Sequence, residues 1–353
     1  MNKTALALTV VAMLVVSMLL VPYWPFSFSR LQVTVGVYYY PWYPLHWNYS
    51  KEYPKWNVVD TPLSSDGYDD CKNETLIKQQ LTLMEESGID FIVFSWWGNK
   101  DWGYGYYGDT VCQSVFQIIR QYHYNMTATL MVESFNGTIY DFQNIYDYVY
   151  ATYVIPYNDI YMKLDGLPLL CFFNGDITEN VVVKSDSHGR FRTRIVGHSD
   201  FVDWWFAIPC TVNNSAIPLI SRKDGMICVE PRYDDQFLKR DKNSTFDASF
   251  AEGLYDKQWN ETIRLAREGK INYVTIYSWN EYHERSQIEP ANDATSYKPE
   301  NTTFNLDRTR YYVSQLKALE LPNSQLVLIV TILIGAVILS SAYVIYKRKP
   351  SKK

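Results

Sequence analysis

Residues 73–98 read NETLIKQQLTLMEESGIDFIVFSWWG. Asn73 or Cys71 precedes a helical pattern in which Ile77, Leu81 and Met84 fall at i, i+4 and i+7, on one face. Gly88 ends that pattern. Ile89 then leads into a short apolar strand, Phe91–Ser95, which stops at Trp96-Trp97-Gly98. A helix that hands over directly to an apolar strand is half of a parallel βα unit.

Working outward from this unit, similar runs recur: Val33–Tyr39, Thr127–Glu133, Leu169–Phe173, Arg192–Val196, Trp204–Ile208, Met226–Val229 and Tyr273–Ser278. With Phe91–Ser95 they make eight. Asp141–Tyr153 and Glu252–Glu268 carry helical patterns. Eight strands alternating with helices predict an α/β fold, a (β/α)8 TIM barrel. Between Asn174 and Pro231 the pattern holds three strand runs with little helix, and Lys184–Arg190 is polar, a hairpin or loop. That sector predicts a barrel with degraded helices, and an open α/β sheet is the alternative. The sequence has no internal repeat and no low-complexity linker.

Two apolar segments bracket this domain. Lys3 precedes a charge-free run from Ala5 to Val21, so residues 1–29 read as a signal peptide or an uncleaved signal anchor. Leu326–Tyr346 is free of charge and long enough to cross a bilayer as a transmembrane helix. The tail at 347–353 carries Lys347, Arg348, Lys349, Lys352 and Lys353, which by the positive-inside rule is cytoplasmic. The domain at 30–320 is then expected outside the cell, held to the cell membrane by a single C-terminal span. Sequons begin at Asn48, Asn73, Asn125, Asn136, Asn213, Asn243, Asn260 and Asn301, where chance would place roughly two or three. That excess suits an exported glycoprotein.

Net charge is −5, so the chain has no basic footprint for nucleic acid. Aromatic content is 16%, with 30 Tyr and 11 Trp, which suits sugar binding because C–H faces of sugars pack on rings. The cysteines at 71, 112, 171, 210 and 228 lack metal spacing, and their odd number leaves one outside any intramolecular pairing. Cys171 and Cys228 fall inside strand runs and read as small buried hydrophobes. Cys71 and Cys112 lie at the starts of helices in neighbouring units, and a disulfide between them is expected on the oxidising side of a membrane.

Chemistry in such a barrel gathers at the C-terminal ends of the strands. There the sequence places Tyr39, Trp42, His46 and Trp47 after the first run, and Trp96 and Trp97 after the second. Glu133 ends the third, Asn174 follows the fourth and Glu230 the seventh. Trp279-Asn280-Glu281-Tyr282-His283-Glu284 follows the eighth, with Gln287 and Glu289 beyond. Glycosidic cleavage needs one group to protonate the leaving oxygen and another to support the anomeric centre. Glu281 and Glu284 share one loop and meet that need if their pKa values separate. A zinc protease is excluded, because Gln287 stands where H-E-x-x-H requires the second histidine. Neither a G-x-S-x-G elbow nor a P-loop is present, so no nucleotide cofactor is expected.

Four motifs occur in order: Tyr38-Tyr39-Tyr40-Pro41-Trp42-Tyr43 with His46-Trp47; Gly88-Ile89-Asp90-Phe91-Ile92-Val93-Phe94-Ser95-Trp96-Trp97-Gly98; Asp165-Gly166-Leu167-Pro168; and Trp279-Asn280-Glu281-Tyr282-His283-Glu284 with Gln287-Ile288-Glu289-Pro290. Together they resemble glycoside hydrolase family 99, the endo-α-1,2-mannosidases and mannanases, from about Val33 to about Lys317. The resemblance implies a retaining, metal-free and cofactor-free hydrolase of glycans. Glu281 would take the proton of the sugar 2-hydroxyl as it closes onto C1. Glu284 would protonate the departing oxygen and later activate water. Tyr39, Trp42, His46, Trp47, Trp96, Trp97, Glu133, Asn280, Tyr282 and His283 would contact the sugar. The chain departs from the family after Glu284, where Arg285 and Ser286 replace the usual Gly and Thr; such an arginine either points outward or meets an acidic or differently shaped sugar. Rival readings are a glycosyltransferase of polysaccharide loci with a similar W-N-E motif, a family 71 α-glucanase, and a non-catalytic surface lectin.

Overall fold

The computed structural model describes residues 33–43, 61–63, 70–100, 104–133, 142–173, 183, 185–197, 204–205, 223–234, 245–246, 253–292, 303–319 and 335. The chain divides into two units, Val33–Leu319 and a second formed by Met1–Gln32 and Glu320–Lys353. The apolar segments at 5–21 and 326–346 lie outside the described residues, apart from Gly335. Among the described residues no helix is long and apolar enough to cross a membrane.

Among the described residues, the unit from Val33 to Leu319 is built on eight parallel strands: β1 (Thr34–Tyr39), β2 (Phe91–Trp96), β3 (Thr127–Val132), β4 (Leu167–Phe173), β5 (Arg192–Gly197), β6 (Trp204–Trp205), β7 (Met226–Val229) and β8 (Tyr273–Ile276). Each of the eight apolar runs in the sequence carries one of them. Their order is β6-β5-β4-β3-β2-β1-β8-β7, so chain neighbours are sheet neighbours except β6 and β7, which end the path, and the first strand, β1, pairs with the last, β8. The path curls until its ends, β6 and β7, come within 8 Å. No hydrogen-bonded ladder links those two among the described strands. A flat open sheet is therefore excluded, and the strands form a curled, barrel-like α/β sheet.

Helices cover the convex side: α1 (Glu74–Glu86), α2 (Tyr104–Tyr122), α3 (Phe142–Val149, running into a π-helical turn at Tyr150–Val154), α4 (Leu254–Arg267) and α5 (Phe304–Ala318). Asn73 caps α1 by accepting from the amides of Thr75 at 2.9 Å and Leu76 at 3.3 Å. Leu76, Ile77, Leu81 and Met84 of that helix are buried. Burial of such side chains is worth about 1.5–3 kcal/mol each, so packing rather than propensity holds the helix. Gly88 ends it at φ +76°, and a Cβ there would meet Val313 Cγ1 of α5 at 2.8 Å. From Asn174 to Pro231 no helix occurs among the described residues.

Two layers follow from the period-2 alternation of strands. Gly36 pairs in register with Phe91, whose ring fills the space a Cβ would take, so both face the concave side. The Tyr38 hydroxyl lies among Thr275, Cys228 and Cys171, contributed by three other strands, which identifies these as concave too. The alternate residues turn outward: Phe94 packs on Phe116 of α2, and Phe172 on Phe142 and Tyr146 of α3.

The expected Cys71–Cys112 disulfide is not formed; both are free, buried thiols, and Cys171 and Cys228 are buried in their strands. Cys71 lies near Glu289, and Cys112 near Asp109. Burial raises both thiol pKa values, which keeps them protonated and poorly reactive. Cys210 lies outside the described residues.

Candidate active site

The loop after β8 is fully buried from Trp279 to Glu289. It folds back as a tight excursion. Ser278 N–H donates to the Ser286 carbonyl at 3.0 Å, Ile288 N–H to the Ser278 carbonyl at 2.9 Å and Glu289 N–H to the Trp279 carbonyl at 3.0 Å. Asn280 fastens it to the end of β1, accepting from Tyr40 N–H at 2.8 Å and donating to the Tyr40 carbonyl at 3.0 Å. The Tyr43 hydroxyl accepts from the Tyr282 amide at 3.2 Å. Arg285 occupies a left-handed conformation at φ +53°, a geometry that glycine adopts without cost. Its side chain is buried, not turned outward, and its carbonyl accepts from Arg232 Nε at 2.8 Å.

The concave alternation brings one residue from each of several strand ends to this loop. Tyr40 follows β1, Ser95 lies in β2, Glu133 follows β3, Glu230 follows β7 and Tyr277 follows β8. Ser95 Oγ donates to Glu133, and Trp97 Nε1 donates to Ser95 Oγ at 3.2 Å. Glu281 accepts from the His283 amide at 3.0 Å, with His283 Nδ1 3.2 Å from the same oxygen. The His283 ring stacks on Tyr43, 6.0 Å between centroids. Glu284 accepts from the hydroxyls of Tyr277 and, at 3.2 Å, Tyr233.

The carboxyls perturb each other. Burial, then the charges of Glu281 and Glu284, push the Glu133 pKa up to about 8 against the pull of Ser95. Burial likewise raises Glu281, which His283 opposes and Glu284 reinforces. Burial and Glu284 hold Glu230 well above the usual carboxylate range. A cluster whose members differ in partner supply can keep one carboxyl protonated while another is ionised, which is the requirement for acid–base work at a single bond.

The residues expected at the rim sort into two groups. Glu281, Glu284, His283 and Glu133 converge. Trp42 joins them through Tyr40 and Trp97, with ring centroids 4.9 and 5.7 Å away, and Trp97 is 38% exposed, open to a ligand. Tyr39 is not part of the ring: its hydroxyl turns outward to Gln80 of α1 at 2.8 Å. Trp96 turns outward as well, donating to Asp109 of α2 at 2.8 Å. Tyr282 is buried beneath the loop and donates to Glu289 at 2.7 Å, and Asn280 serves as the fastener described above. These contacts tie all four into the wall around the ring. His46, Trp47 and Asn174 lie outside the described residues. Tyr40, Ser95 and Tyr277 also complete the ring, and their signal in the sequence is the alternation itself, two residues on from Tyr38, Val93 and Thr275; Tyr233 joins from beyond β7 with no such signal.

No family model matches the chain, and no curated protein matches it. Solved structures do. The chain is similar to the GH99 endo-α-mannosidase of Bacteroides thetaiotaomicron in complex with bis-tris propane, at TM-score 0.59 and 18% identity over 81% of this chain and 98% of that one. A second structure of that enzyme gives TM-score 0.53 at 16% identity. A glycoside hydrolase-like protein gives TM-score 0.54 at 14% identity, over 80% of this chain and 94% of that one. The fold of the unit from Val33 to Leu319 is the one these structures share.

Proposed function

We propose that the protein is a glycoside hydrolase that cleaves α-mannosidic bonds in glycans with retention, displayed outside the cell on a single C-terminal span. The observation that carries this reading is the convergence of Glu281, Glu284 and Glu133 on the concave side of a fold shared with an endo-α-mannosidase. Glu281 is the base. Burial makes it a stronger proton acceptor than a solvated carboxylate, and His283 orients it. It draws the proton from the sugar 2-hydroxyl as O2 bonds to C1 and the C1–O bond to the leaving group breaks. Glu284 supplies the proton to the departing oxygen. The Tyr277 and Tyr233 hydroxyls then stabilise its carboxylate. Water next attacks C1 and opens the anhydro ring, giving its proton to Glu284, while O2 recovers the proton held by Glu281. The aromatic surface of Trp42 and Trp97 supplies a platform for an adjoining sugar. Arg285 is buried one residue beyond Glu284, where the family it resembles has glycine, and is the position at which linkage preference would change.

The test is an activity screen of the purified full chain against defined α-manno- and α-gluco-oligosaccharides, with the anomeric configuration followed by NMR. Cleavage of α-mannosides with retention is expected, and a 2-deoxy substrate is expected to be inert. Cleavage of that substrate at the normal rate would remove the anhydro-sugar route, and inertness toward every α-mannoside would remove the reading. Protease treatment of intact cells should strip the domain and leave a short C-terminal fragment; full protection would overturn the topology.

A further inference from the structure

Glu230 has no part in the acid–base scheme above, yet its surroundings are unusual. It is 0% exposed, and neither carboxyl oxygen has a hydrogen-bond partner among the described residues. Leaving such a group unsatisfied is costly, and a small backbone shift toward a partner would relieve it. Here the shift is blocked. The Gln258 side chain of α4 accepts from the Glu230 amide at 2.9 Å and donates to its carbonyl at 3.0 Å, so the backbone is clamped on both sides.

The direction of the side chain follows from register. Cys228 of β7 pairs with Thr275 of β8, and the bond from the Tyr277 amide to the Val229 carbonyl carries the pairing one step further. Cys228 and Thr275 face the concave side beside the Tyr38 hydroxyl. Two residues on, Glu230 and Tyr277 project the same way. Tyr277 donates to Glu284, and Glu284 is also the charge that Glu230 feels. An unpartnered carboxyl is thus fixed by its backbone and aimed into the ring beside the acid.

We propose that Glu230 is a substrate-binding, specificity-determining residue, hydrogen-bonding a hydroxyl of the sugar whose glycosidic oxygen faces Glu284. This rests on the glycosidase reading above. In this place a neutral carboxyl can both donate and accept, and it adds no second charge next to the acid. A site built to bond a hydroxyl rejects ligands that lack it, because the buried group is left without a partner.

The test compares wild type with Glu230→Met and Glu230→Gln in the full chain, using an α-mannose oligosaccharide and its singly deoxygenated analogues. Calorimetric binding and kcat and KM are measured. Glu230→Met should weaken binding of the parent substrate about tenfold or more and lose discrimination against one deoxy analogue, with Tm unchanged or raised. Glu230→Gln, which still donates and accepts, should keep that discrimination within about threefold. If the methionine variant does not fold, Glu230→Ala carries the same expectation. A methionine or alanine variant with wild-type binding and discrimination overturns the inference while the glycosidase reading stands. A wild-type protein that neither binds nor cleaves any of the sugars overturns both.

Discussion

The inner and outer faces of the strand ends hold the same kinds of residue and treat them in opposite ways. Outside, Asp109 accepts from Trp96 Nε1 at 2.8 Å, Gln113 at 2.8 Å, Tyr148 at 2.5 Å and Tyr153 at 2.6 Å. Glu289 accepts from Gln80 at 2.9 Å and Tyr282 at 2.7 Å. Inside, Glu133 takes one side-chain donor, Ser95, and Glu230 takes none among the described residues. A saturated carboxylate has spent its acceptor capacity on the fold and has nothing to offer a ligand. An undersupplied one keeps its proton, destabilises the fold, and is ready to bond or exchange a proton with something that enters. Partner supply separates Asp109 from Glu133 and Glu230, whereas Glu284, with two tyrosine donors, and Glu281, beside His283, are set apart by the face they occupy.

The largest effect that sharpens this contrast is catalytic. Glu281→Gln and Glu284→Gln should each lower kcat by roughly 10²–10⁴-fold with little change in KM, because the lost proton transfer acts in the transition state. A substrate with an activated leaving group should restore the first step in Glu284→Gln and not in Glu281→Gln. If both variants keep full activity, the inner ring is only packing and the contrast collapses.

Next come the adjacent tryptophans. Trp96→Ala should cost about 3–5 kcal/mol of stability, measured by denaturant unfolding, and leave the affinity of the folded protein intact. Trp97→Ala should leave Tm nearly unchanged and weaken oligosaccharide binding. The reverse pattern would exchange their assignments.

A third test is thermal stability against pH. The folded pKa of Glu133 lies above its ordinary value of 4.5, at about 8. The native state therefore binds the proton more tightly, and this stabilisation is full below about pH 4.5 and lost as pH rises toward about 8. Glu230 and Glu281 shift in the same direction. Tm should fall between pH 5 and pH 8, and Glu133→Gln should flatten that slope. A Tm that rises over this window would show that the inner carboxyls are better partnered than their surroundings indicate.

The smallest expected effect concerns Tyr39, next to Tyr40 in sequence. Tyr39→Phe removes the donor to Gln80 and should cost about 1 kcal/mol with kinetics unchanged. A loss of turnover would return Tyr39 to the site.

Much was legible without coordinates. All eight strands, the α1–β2 unit with its Asn73 cap and Gly88 stop, and the loop bearing Glu281 and Glu284 follow from local pattern, because helix periodicity, capping and strand length are properties of short segments. Which of two neighbouring residues faces inward did not. In Tyr38-Tyr39-Tyr40 and Ser95-Trp96 both sides of the strand are buried, one by the sheet interior and one by helices, so the pattern of residue types hides the phase of the alternation. Only the curl of the sheet fixed that phase, giving Tyr39 and Trp96 to the helices and Tyr40, Ser95 and Glu230 to the interior. The tertiary structure also kept Cys71 and Cys112 unbridged and buried Arg285 in a left-handed turn. These outcomes depend on what lies across space from each residue, and sequence neighbours carry no record of it.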